Sequence, residues 1–143
     1  MILLDTNVCI ALLKGTSAPA SERLMATGPD DVRIPSVAAA ELLFGARKSG
    51  SAKALTATRA FVTTIGVAPF DGAAAEHYGI IRNTLQSAGE IIGPNDLLIA
   101  ATALSLGATL ATGNTREFSR VPGLVIENWI ARTSSGDAGS SPA

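Results

Sequence analysis

The amino-acid sequence predicts an α/β fold: a central parallel sheet of about five strands sandwiched between helices. Three observations predict it. Short apolar segments alternate with longer helical ones along the whole chain, as crossover connections between parallel strands require. Those segments are nearly continuous in apolar character, as strands buried on both faces are. The chain has 143 residues, 47% of them hydrophobic and 16% charged, which suits one domain around one sizeable core.

Taken in order, residues 2–5 read as a short buried strand. Residues 7–13 form a brief helix that stops near Gly15, and Ser21 to Ala26 belongs to another. "VRIPS" (32–36) is the second strand, after which Ser36 can act as N-cap of a helix to about Lys48. Residues 51–64 continue as helix, and "GVAPF" (66–70) is the third strand. Asp71 suits the next N-cap. Ala74, Tyr78, Ile81, Leu85 and Ala88 then recur at helical spacing, and Gly89 suits the position just past the end. Pro94 opens a helix running through "DLLIAATALSL" to Gly107, in the first turn that proline tolerates. "ATLAT" (108–112) and "LVIEN" (124–128) complete the strands. The domain therefore spans 1–132, and the small polar tail 133–143 is expected to be disordered.

Composition narrows function. Aromatics are 4% of the chain, so the core is built from Ala, Leu, Ile and Val. A formal net charge of −1 gives no global field toward nucleic acid, although a local basic patch would still serve. Cys9 is the single cysteine, which fits a reducing compartment. The first residues lack a basic leader, and Asp5 interrupts their apolar run. No segment has the roughly 18 continuous apolar residues of a membrane span. The expectation is a soluble, cytoplasmic protein.

Four positions call for a chemical explanation. Asp5 lies where the first strand ends, and ligands of open parallel sheets sit at the carboxyl ends of strands. Glu41 interrupts the small and apolar helix "SVAAAELLFGA"; pairing with Arg47 or reaching solvent would also account for it. Asp96 lies in the first turn after Pro94, where an acid favours the helix dipole, yet that helix is apolar on nearly every face. Asn114 follows the fourth strand in a Gly-Asn turn at the same sheet edge as Asp5. Three carboxylates brought to one edge repel one another, and a divalent cation offsets that repulsion. Oxygen ligands without a Cys/His cluster suit Mg²⁺ or Mn²⁺, and hence phosphate chemistry.

The stretches "ILLDTNVCI", "SVAAAELLFGARKS", "IGPNDLLIAATALSLGATLATGNTREF" and "VPGLVIENW" resemble, in order and to about residue 130, the PIN-domain ribonucleases. More narrowly they are similar to the VapC toxins of type II toxin–antitoxin systems. The resemblance implies a PIN-like α/β/α sandwich and a metal-dependent endoribonuclease. It carries across an acidic quartet of Asp5, Glu41, Asp96 and, where many members have Asp, Asn114. Asp5 and Asp96 would be the principal Mg²⁺ ligands (Mn²⁺ possible), with Glu41 completing the set. Thr6 and Thr112 match hydroxyl positions near the acids. Among Arg47, Lys48, Lys53, Arg82, Arg116 and Arg120, Arg116 is the best candidate to meet substrate, because it sits two residues after Asn114.

The resemblance further implies an RNA substrate, with tRNA favoured and initiator tRNA the target of similar toxins. It also implies a cognate VapB-type antitoxin and a toxin homodimer, with the antitoxin groove formed by helices around 17–27 and 36–64. Two other readings compete. Phosphoaspartyl chemistry would want a second acid where Asn7 stands and a lysine beyond Lys53. A catalytically degenerate PIN-fold module binding RNA or protein would accommodate Asn114. His77, Cys9 and Trp129 are read as structural.

Overall fold

The structure, a computed structural model, describes residues 1–131; the predicted tail at 133–143 lies outside the described residues. The elements are β1 (Ile2–Leu4), α1 (Thr6–Lys14), α2 (Ala18–Thr27), a 3₁₀ turn (Pro29–Asp31), β2 (Val32–Pro35), α3 (Ser36–Lys48), α4 (Ala52–Ile65), β3 (Val67–Ala68), α5 (Gly72–Ala88), α6 (Pro94–Leu106), β4 (Thr109–Thr112), α7 (Thr115–Phe118) and β5 (Val125–Asn128).

The five strands form one sheet in the order β3-β2-β1-β4-β5, and every pairing is parallel. The chain winds from β1 outward to β3, then crosses back to β4 on the other side of β1. That reversal opens a crevice at the carboxyl ends of β1 and β4, where open α/β sheets place their ligands. The register puts Leu4 beside Ala111, so the residues that follow, Asp5 and Thr112, meet at the mouth of the crevice.

The strands hold together because their side chains leave water on both faces. Leu3, Leu4, Val32, Ile34, Leu110 and Ala111 are all fully buried. The central helix α6 buries Leu97, Ile99, Ala100, Ala101, Thr102 and Ala103, so its surroundings are apolar on nearly every side, as its sequence predicts. Small residues there let α5 pack closely against it. With few aromatics available, Phe118 and Trp129 still supply the bulk near β5, at 0% and 1% exposure.

Local chemistry sets most boundaries. Ser17, Ser51 and Asp71 each accept a backbone N–H from the first turn of their helices. Gly89 ends α5 at φ 69°, a left-handed conformation that disfavours any side chain. Two expectations are corrected. Ser36 is not an N-cap: Pro35 holds that position, and the Ser36 hydroxyl accepts the Phe70 N–H at 3.2 Å. The third strand is two residues, not five, because it is an edge strand and Pro69 has no N–H to pair. The bend at Gly113–Asn114 is present, and the short helix α7 that follows it is an element the sequence does not announce.

Candidate active site

Asp5 follows β1 directly and caps α1. One carboxylate oxygen, Oδ1, accepts the Thr6 N–H at 2.7 Å; the other, Oδ2, accepts the Thr112 hydroxyl at 2.7 Å. The residue is only 3% exposed. Burial pushes its carboxyl above the ordinary range, the two hydrogen bonds oppose that, and the charges of Glu41 and Glu117 add to it. Thr112 is itself fully buried, and its oxygen accepts the Asn114 N–H at 2.9 Å. One hydroxyl thus joins the ends of β1 and β4 to the loop that follows.

Glu41 projects from the middle of α3 toward the same crevice. Its Oε1 accepts the Thr6 hydroxyl at 2.6 Å, and its Oε2 accepts the Asn95 amide at 3.1 Å. It therefore does not turn to Arg47; its partners lie at the starts of α1 and α6. Thr6 serves twice, with its N–H on Asp5 and its hydroxyl on Glu41. Thr6 thus links Asp5 to Glu41, while Thr112 links Asp5 to the Asn114 backbone.

Asp96 sits in the first turn of α6. Its carboxyl is pushed up to about 8, first by burial, then by a hydrogen bond with Glu117, then by the negative charges of Asp5, Glu117 and Glu41. Glu117 moves the opposite way, because Asp96 donates to it, the Gly93 N–H bonds its Oε1 at 3.2 Å, and Arg120 and the Asn114 amide face it. The two carboxyls hold one proton between them. A Cβ at Gly93 would stand 3.5 Å from Asp96 and 3.7 Å from Glu117, ordinary contact distances, so it is the Gly93 N–H rather than the missing side chain that serves the pair.

Asp5, Glu41 and Asp96 thus come together as the sequence suggests, with Asn114 beside them. Asn114 occupies the N-cap position of α7 but makes no side-chain cap bond there; its amide serves Glu117 instead. Glu117 itself escapes the sequence reading. Its signal was present in "NTRE", where an Asn at N-cap and a Glu three residues on have capping-box spacing. Arg116 lies exposed on α7, with no hydrogen-bond partner for its guanidinium among the described residues.

Four carboxylates therefore face one another, and among the described residues the single ion pair is remote, between Arg23 and Glu127. That donor set has unbalanced negative charge and only oxygen ligands. Among the described residues no three acidic, histidine or cysteine side chains close tightly on one point. A cation held here would therefore meet at most two of these carboxylates directly and take water for its other ligands, a shell that Mg²⁺ tolerates. Asp5, Asp96, Glu41 and Glu117 are the residues that could hold it.

The model of the PIN domain family matches residues 2–124. A tRNA(fMet)-specific endonuclease VapC from Shigella flexneri is 42% identical over 128 residues, covering 89% of this chain and 96% of its own length. The chain belongs to the PIN-domain family, in its VapC group. Two solved structures agree. VapBC2 from Rickettsia felis, bound to a DNA fragment from its promoter, superposes with a TM-score of 0.83 at 34% identity, covering 90% of this chain and 99% of that one. DNA-bound VapBC from Salmonella typhimurium gives 0.82 at 37% identity, with 90% and 97% covered. The five-stranded parallel sheet flanked by helices is the PIN-like α/β/α sandwich that the VapC resemblance implies.

A second concavity lies on the helical side. An apolar groove of about 320 Å³ runs between α1, α3 and α4, with Leu13, Leu42, Ala46 and Ala57 in its walls. It overlaps the expected antitoxin groove at 36–64, whereas α2, the other expected wall, does not line it. Phe44 stands 68% exposed on α3 close by. Among the described residues no helix is long and apolar enough to cross a membrane.

Proposed function

We propose that this chain is a Mg²⁺-dependent endoribonuclease toxin of a toxin–antitoxin pair, acting on RNA in the cytoplasm and neutralised by a cognate VapB-type antitoxin. The observation that carries this reading is the meeting of Asp5, Glu41, Asp96 and Glu117 at the sheet's switch point, in a chain 42% identical to a tRNA endonuclease. The name of that relative favours tRNA as the substrate class. The names of the structural neighbours favour an antitoxin, and the groove between α1, α3 and α4 offers it an apolar seat. A homodimer is part of the same proposal.

Asp5 and Asp96 would hold the cation, Mg²⁺ or Mn²⁺, with Glu41 completing the shell. When bound, it lowers the pKa of water and neutralises charge developing on the phosphate. Glu41, fixed by Thr6 and Asn95, orients the attacking water and is placed to take its proton. Asn114 and Thr112 hold the β4 edge of the site in register with Asp5. Glu117 keeps Asp96 oriented, and the proton they share must leave before Asp96 can act as a ligand. In-line attack on the phosphodiester leaves a 5′-phosphate and a 3′-hydroxyl. Arg116 stands exposed on the same rim as a candidate contact for substrate phosphate.

Induced expression in bacteria tests this reading, with and without a co-expressed antitoxin, followed by sequencing of RNA 5′ ends. The expected result is growth arrest, relief by the antitoxin, and new ends at a defined site in tRNA. Normal growth with no new RNA ends would instead favour a binding module without catalysis.

A further inference from the structure

The loop 89–93 joins α5 to α6, and it touches the acidic site on one side and two arginines on the others. Its Gly93 N–H bonds Glu117, as above. Two residues earlier, the Ile91 carbonyl accepts Nη1 of Arg120 at 3.2 Å. Arg120 lies one turn beyond Glu117 and is exposed. On the loop's far side, a small cavity of about 190 Å³ is lined by Tyr78, Arg82, Ile91, Ile92, Pro94 and Leu97. There Arg82 donates to the Tyr78 hydroxyl at 2.9 Å, and its guanidinium carbon stands 5.8 Å from the ring centroid.

Both guanidiniums are thus held in place by neutral oxygens. Among the described residues neither enters an ion pair; Arg120 acts on Glu117 only through space, and both arginines are exposed. The acids nearest along the chain are Glu117, three residues before Arg120, and Glu76, six before Arg82; neither forms an ion pair with these arginines among the described residues. A polyanion threading a site of four carboxylates needs compensating cations beside it, and a preset guanidinium suits phosphate.

We propose that Arg120 and Arg82, on either side of the loop 89–93, form a track for the RNA backbone flanking the scissile phosphate. The inference rests on the ribonuclease reading and deepens it. The strand leaves the acidic site past Gly93, meets Arg120 over Ile91, and reaches Arg82 beside Tyr78. These two, rather than Arg116 alone, carry the electrostatic part of binding.

The test is binding of fluorescently labelled bulk bacterial tRNA by the full chain in EDTA, measured by anisotropy over a salt series. Wild type, Arg82→Ala/Arg120→Ala, Arg82→Lys/Arg120→Lys and Arg59→Ala are compared, each checked by circular dichroism. Each phosphate contact contributes roughly 0.7–0.9 to the slope of log K against log salt, so the double alanine variant should lose about 1.5. The lysine pair should keep most of the slope, because a point charge still meets phosphate, and Arg59→Ala should match wild type. An unchanged slope in the double alanine variant overturns the track. If that variant binds like wild type while wild type cleaves RNA with Mg²⁺, the track fails and the ribonuclease reading stands. If wild type neither binds nor cleaves RNA, both fall together.

Discussion

Replacing Thr112 with valine removes one oxygen from a fully buried position and keeps the shape of the side chain. In the native protein that oxygen donates to Asp5 at 2.7 Å and accepts the Asn114 N–H at 2.9 Å. A hydrogen bond to a charged group contributes about 1.5–3 kcal/mol, and an amide left without its acceptor costs about 1 kcal/mol more. Thr112→Val should therefore destabilise the metal-free protein by about 2–4 kcal/mol near neutral pH, a fall in Tm of roughly 6–15 °C. The loss also has a pH signature. Asp5 already holds its proton more tightly folded than unfolded, because burial outweighs its hydrogen bonds. Stability from such a group is present in acid and is lost as pH rises through the folded value. Removing the Thr112 donor raises that value further. The gap between variant and wild type should thus widen with rising pH, and in acid shrink to the roughly 0.5–1.5 kcal/mol of a neutral hydrogen bond. Urea denaturation in EDTA across pH 4–8 measures it, with Asp5→Asn as the second arm of a double-mutant cycle. A pH-independent gap, or one undiminished in the Asp5→Asn background, would refute the reasoning.

Three further outcomes follow from the same geometry. Metal-free protein should lose stability between about pH 4 and 8, because Asp96 is raised to about 8 and its folded form binds more protons than its unfolded form; Asp96→Asn should flatten that profile in thermal melts with EDTA. Glu117→Gln should lower Mg²⁺ affinity or cleavage roughly 10–100-fold, as loss of a supporting partner does, and should bring the carboxyl of Asp96 down; isothermal titration at two pH values reads both. Asn114→Asp replaces a donor to Glu117 with a like charge, so the apo protein should melt lower in EDTA and regain more stability on adding Mg²⁺ than wild type does; equal Mg²⁺ shifts would remove Asn114 from the site.

The fold was legible where apolar segments and caps act locally. The strands at 2–5, 32–36 and 108–112 and the cap at Asp71 needed no distant partner to be recognised. Ser36 misled because its hydroxyl has two possible uses, a local cap and the Phe70 N–H, 34 residues away in sequence. Sequence spacing carries no information about that competition. In the site, Asp5, Glu41 and Asp96 stood out because each interrupts an apolar context. Glu117 lies in the polar stretch "TREFSR", where an acid raises no question. Its importance comes from the Gly93 N–H and the Asp96 carboxyl, which the fold delivers from the start of α6. Thr6 and Thr112 were legible as hydroxyls near the acids, but which oxygen each meets, Glu41 for Thr6 and Asp5 for Thr112, depends on the fold.

The central claim is that these acids hold a divalent cation that cleaves RNA. Its most direct test is cleavage of bulk tRNA by purified protein, titrated with Mg²⁺, for wild type, Asp5→Asn and Asp96→Asn. The account predicts cleavage by wild type that is abolished by EDTA, restored by Mg²⁺ or Mn²⁺, and lost in both variants. Cleavage that persists in EDTA, or that both variants retain undiminished, would contradict it.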